Sequence, residues 1–180
     1  MYKESYGLPK KIPKIVSFFQ VKLWNRNIYK IFYFKWLYFL FTEKISMKIT
    51  ICGSLKFAKD ILSIKKQLED FGHEVRVPLE TEAFAAENTN NDWHRDARQG
   101  MLDHYDNIAY SDAVLVTNFD KNWTVGYIWW ATLVDMGIAC YLRKKIFILN
   151  PVPKQEEIRY VQEINLMLPI ILNWNLSKIQ

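Results

Sequence analysis

The sequence predicts an α/β protein built on one doubly wound parallel sheet. Three observations carry that reading. Ser111 to Pro153 holds an apolar run (Ala113–Phe119), a polar loop, a helical segment and a second apolar run (Lys145–Leu149). That order is the strand, loop, helix, strand unit of parallel sheets. Short apolar runs alternate with segments of helical period through residues 47–180. Chain-breaking residues, among them Gly72, Pro78, Pro151 and Pro153, fall at the boundaries between elements.

Taken in order, the first strand is Lys48–Cys52, directly after Met47. A helix over about residues 57–71 follows from Phe57, Ile61, Leu62, Ile64 and Leu68 near helical spacing, with Gly72 as its C-terminal cap. Strand two is Glu74–Val77, stopped by Pro78. Residues 80–91 read as a polar loop, and a helix over about residues 92–110 starts at an Asn91 or Asp92 cap. Strand three is Ala113–Phe119, and the next helix spans about residues 129–142. Strand four is Lys145–Leu149. A last helix over about residues 155–167 leads to a short strand, Pro169–Leu172. Five strands alternating with helices imply a flavodoxin-like order, 2-1-3-4-5.

The 180-residue chain is half hydrophobic, enough for one domain with a real core. Its formal charge of +5 is unevenly spread. Residues 1–46 hold nine Lys+Arg against two acids, whereas residues 47–180 hold fifteen against seventeen. The basic character therefore belongs to the extension, and it does not mark the domain as a nucleic-acid binder. Within the extension, Ile28–Phe41 is aromatic but interrupted by Lys30 and Lys35. At about 14 residues it is short of the roughly 20 that span a bilayer. No small-residue cleavage site follows it, as a signal peptide requires. Residues 1–46 leave three readings: an interfacial helix that meets a membrane surface, a helix packed on the domain, or a stretch upstream of the true start at Met47. The two cysteines, Cys52 and Cys140, lie in apolar runs and read as buried free thiols, which points to a reducing cytoplasm.

Residues 47–179 resemble the nucleoside 2-deoxyribosyltransferase-like family. The opening MKITICGSLKFAKD resembles its first strand and Gly-Ser turn. The segment from Ser111 resembles its strand, polar loop and acid-bearing helix. The tail ILNPVPKQEEI…LPIILNWNLSKI looks like an uncharacterised branch. The resemblance implies an enzyme that cleaves or exchanges the N-glycosidic bond of a nucleoside or nucleotide, a small-molecule partner and a homo-oligomer; the rival reading is a non-catalytic nucleotide-binding or sensing module on the same fold. In that chemistry a carboxylate attacks C1′ and a second group moves protons, as in retaining glycosidases. Asp135 stands where the family usually carries Glu, one methylene longer. Counting eight back from Asp112, where many members place an acid, gives His104, flanked by Asp103. His104 suits proton transfer near neutral pH.

Each of these residues also has a plainer reading. Asp135 sits inside the apolar stretch ATLVDMGIA, where a lone carboxylate is costly, yet it could be only a polar residue of its helix. His104 and Asp103 read equally as surface groups in LDHYDN. Gly53 and Ser54 open a helix whose N–H groups suit a phosphate or sugar hydroxyl, or form a plain turn. Asn118 and Asp120 suit ribose hydroxyls or are ordinary loop polarity. Tyr127, Trp129 and Trp130, in the loop before the helix of Asp135, complete the candidate substrate-binding set. His73 and His94 lack Cys or His at ligand spacing, so no metal site is expected. Neither G-x-x-x-x-G-K-[ST] nor G-x-G-x-x-G occurs, and no cofactor is expected.

Four of the seven tryptophans stand where glycine is usual. Asn122-Trp123 and Asn173-Trp174 occupy turn positions that favour Asn-Gly. Trp129-Trp130 lies at a loop-to-helix turn, where backbone approaches a ligand and the resembled branch has Gly-Gly. Two readings follow: a UGA codon that specifies glycine, or true tryptophans that stack a base.

Overall fold

All five expected strands pair side by side, every neighbour parallel, in the order β2-β1-β3-β4-β5. The computed structural model describes residues 46–87, 97–121, 123–154, 156 and 159–179. The extension, except Ser46, lies outside the described residues, as do His94 and the expected caps Asn91 and Asp92. The strands are β1 (Lys48–Gly53), β2 (Glu74–Arg76), β3 (Ala113–Thr117), β4 (Lys145–Ile148) and β5 (Ile170–Ile171). The helices are α1 (Ala58–Asp70), α2 (Thr81–Ala85), α3 (Ala97–Tyr110), α4 (Trp130–Tyr141) and α5 (Val161–Leu166).

The central strands β1, β3 and β4 are largely apolar because both faces of the sheet are covered there. On one face Ile49, Ile51, Leu115 and Phe147 pack with Ile61, Ile64 and Leu68 of α1 and with Leu172, Leu176 and Ile179 of the C-terminal tail. On the other, Cys52, Val114, Val116, Ile146 and Ile148 pack with Ile108 of α3, Met136 and Ala139 of α4, and Ile164 of α5. Alternation along β1 sends Ile51 to the first face and Cys52 to the second. Helix α1 ends in a Schellman motif: Gly72 takes φ +92°, its N–H donates to Glu69 C=O, and the His73 N–H donates to Leu68 C=O. At the amino edge, Asp112 accepts a hydrogen bond from the Lys48 N–H at 2.8 Å, joining β1 to β3.

The structure departs from the sequence reading chiefly at four elements. Part of the expected loop 80–91 is the short helix α2, seated by the buried Thr81, whose hydroxyl donates to Pro78 C=O at 2.7 Å. Five residues are too few to show a helical period. β3 ends at Thr117 rather than Phe119, because Asn118 turns away to bond a neighbouring loop. The last helix is regular only over Val161–Leu166, and β5 only over Ile170–Ile171. Among the described residues, no helix is long and apolar enough to cross a membrane.

Candidate functional site

The carboxyl edge of β1 and β3 carries a cleft, walled by Ser54 and Phe57 after β1, by Val116 to Asn118 on β3, and by Lys121 and Tyr127 to Trp129 in the next loop, with Thr132 from α4 behind them. Its enclosed space is small, about 10 Å³, room for roughly one water. This is where parallel sheets place ligands, because the loops diverge beyond the strand ends.

Gly53 lets β1 and β3 approach closely at this edge. A Cβ there would lie 2.1 Å from the Thr117 hydroxyl, which donates to Cys52 C=O at 3.3 Å. Asn118 is the pin of the cleft's far wall. Its Oδ1 accepts from the Asn150 N–H at 2.8 Å, and its Nδ2 lies 3.1 Å from the carbonyls of Gly126, Asn150 and Pro151. Asp120 accepts from the Gly126 N–H at 2.8 Å. Gly126 takes φ +65°, and a Cβ there would sit 2.4 Å from Pro151 C=O, so only glycine fits. Asn118 and Asp120 thus shape the loop that carries Tyr127 and Trp129. Tyr160 donates its hydroxyl to Ile128 C=O and steadies the same loop. Burial, then the neighbouring Tyr127, raises the Tyr160 pKa.

Behind the cleft lies a buried polar group. Helix α4 buries Thr132, Asp135, Met136 and Ala139, the i, i+3, i+4, i+7 stripe of a helix packed on a sheet. Asp135 is therefore one turn deeper than the cleft-lining Thr132. Helix α3 buries His104 and Ile108, four apart, against the same face. The His104 Nε2 lies 3.4 Å from Asp135 Oδ2, and both side chains are about nine-tenths buried. That is a close approach, longer than a good hydrogen bond. The other ring nitrogen, Nδ1, is buried with no hydrogen-bond partner among the described residues. Leaving such a group unpaired costs about 1–3 kcal/mol.

Cys52 completes the group. Its sulfur, a His104 nitrogen and an Asp135 oxygen lie within 4.8 Å of one another. Zinc accepts donors of these types. Burial, and then the nearby Asp135 carboxylate, raises the Cys52 thiol well above its ordinary pKa, which opposes the thiolate that a metal requires. Burial and then Asp135 likewise raise Tyr105.

Of the residues singled out in the sequence, Ser54, Asn118, Tyr127 and Trp129 line the cleft. Gly53, Asp120 and Trp130 adjoin it in the chain without lining it. His104 and Asp135 meet each other behind it. Asp103 accepts instead from Gln99 at 2.8 Å, one turn back on α3. Thr117, Lys121 and Thr132 of the cleft, and Cys52 of the buried group, were not foreseen as site residues. Lys121 holds its ammonium 4.3 Å from the Trp129 ring centroid, a cation–π contact that no sequence motif announces. The chain matches no protein-family model, no curated protein and no solved structure.

Proposed function

We propose that this protein cleaves or exchanges the N-glycosidic bond of a deoxynucleoside or nucleotide, with Asp135 as nucleophile and His104 as proton carrier. The observation that supports this reading best is the buried carboxylate 3.4 Å from an imidazole, one helical turn behind a cleft at the carboxyl edge of a parallel sheet. An Asp135 oxygen bonds to C1′ as the C1′–N bond breaks. The leaving base keeps that bond's electron pair and takes a proton from His104. Water or a second base then attacks C1′, gives its proton to His104 and frees the Asp135 carboxylate, so charge and protons return to the start. The cleft wall orients the sugar and base. A small-molecule partner fits the net negative residues 47–180 better than a nucleic acid does. Two free thiols fit a reducing cytoplasm.

One observation favours a second reading, a nucleotide-binding module without catalysis. The cleft wall ends at Thr132, and Asp135 is only 8% exposed. Aspartate is also a methylene shorter than the residue usual in the resembled family. Incubation with a panel of deoxynucleosides and their monophosphates, with and without free base, separates the readings. Base release means hydrolysis, base exchange means transfer, and binding without either means the module.

A further inference from the structure

We infer that the natural protein carries glycine, not tryptophan, at positions 123, 129, 130 and 174, inserted at UGA codons, and that the mouth of its cleft is bare backbone rather than indole. Two turns carry the inference. Leu172 to Asn175 form a β-turn closed by Asn175 N–H to Leu172 C=O at 3.1 Å. Its central residues, Asn173 and Trp174, take φ +51° and +62°. Two positive φ angles define a type I′ turn, for which Asn-Gly is the favoured pair. Lys121 and Thr124 exchange both backbone hydrogen bonds, each 3.0 Å, across a two-residue loop. The second loop residue, Trp123, takes φ +66° and is fully exposed. The first loop residue is again asparagine.

Positive φ alone does not select these positions, since Glu87, Arg143 and Leu168 share it. Those three follow the ends of α2, α4 and α5, where a single left-handed residue commonly closes a helix. The two tryptophans instead sit second in Asn-X turns. A bulky aromatic side chain at φ > 0 is an outlier, and its ring gains little in return here. Trp174 is 58% exposed, with one tilted ring contact to Phe119.

Trp129 and Trp130 join them through their place at the loop-to-helix turn. Trp129 is the N-cap of α4, offers no side-chain cap to the helix, and lines the cleft. Glycine is a favoured N-cap, and a bulky apolar residue is not. With glycine at both positions, the first turn of α4 meets the cleft as open backbone, and the Lys121 ammonium is released from the Trp129 ring. Resting on the glycosidic reading above, this selects for the hydroxylated or anionic sugar side of the substrate rather than a stacked base.

The test is peptide mass spectrometry of the protein purified from its natural source. Glycine masses at all four positions, with UGA in the gene at each, are expected; a tryptophan mass at any of them overturns the inference. A second arm uses the full chain with Trp123→Gly and Trp174→Gly beside Trp123→Ala and Trp174→Ala. Alanine removes the indole but keeps the left-handed penalty. The glycine pair should melt above both the alanine pair and the tryptophan chain, and a glycine pair no more stable than the alanine pair would count against the inference. Neither readout depends on catalytic activity, so a silent nucleoside panel leaves the inference standing or falling by itself.

Discussion

At the residue scale, the proposed chemistry turns on how one acid is held. Asp135 sits on the buried stripe of α4 because its helical spacing from Thr132, Met136 and Ala139 puts it there. His104 is the polar side chain that meets it, and Cys52 adds a sulfur kept protonated by burial. Asp135→Glu restores the reach usual in the resembled family, and since a misplacement of about 1 Å costs roughly a hundredfold, its rate should equal or exceed that of the unchanged chain. His104→Gln should lower kcat by about 10²–10⁴-fold if the imidazole carries the proton; steady-state kinetics with an unchanged kcat would rule out that role. The thiol makes a separate prediction about pH. Its folded pKa lies above the ordinary 9.0, so the native state keeps a proton that the unfolded chain loses above about that pH. The thiol's contribution to stability is present in full below about pH 9 and is lost as the pH rises beyond it. Denaturation midpoints from pH 7 to 10 should fall less steeply in Cys52→Ala; identical slopes would mean that the thiol is not the group responsible.

At the scale of elements, the close approach of β1 to β3 and the pinning of the 118–127 loop fix the cleft. Gly53→Ala drives a Cβ into Thr117 and should destabilise by about 1–3 kcal/mol, the usual cost of overpacking. Asn118→Ala strands several backbone partners at once, each worth about 1–3 kcal/mol where buried. Chemical denaturation checks both, and an Asn118→Ala chain as stable as the original would refute the pinning role. The central strands β3 and β4 were legible in the sequence because a sheet covered on both faces leaves apolar runs, and Gly72 announced its cap. Helix α2 was not, because five residues show no period. The meeting of Cys52, His104 and Asp135 was not legible either. The three lie on β1, α3 and α4, and only the sheet order brings them together. Asn118 was legible as a cleft residue by its place at a strand end, but its many backbone bonds follow from the turn at residue 126 and from residues 150 and 151, which lie 32 and 33 residues along the chain.

At the scale of the molecule, Lys44–Gln180 clusters as one compact unit. Met47 is buried and its N–H donates to His73 Nδ1 at 3.2 Å, which makes it a natural boundary. A chain beginning at Met47 should melt within a few degrees of the full chain; insolubility of the shorter chain alone would make residues 1–46 part of the core. Leu166, Leu168, Ile170 and Ile171 are exposed beside the two-residue edge strand β5, an apolar patch suited to a second copy. Light scattering should therefore report an oligomer, and a monomer at every accessible concentration would contradict that. Asp135 as the group that breaks the glycosidic bond is the central proposal. Its most direct test is the deoxynucleoside and monophosphate panel run on the unchanged chain and on Asp135→Asn side by side. Base release or exchange is expected from the first and none from the second, with both folded by circular dichroism; equal behaviour of the two would contradict the catalytic role of Asp135.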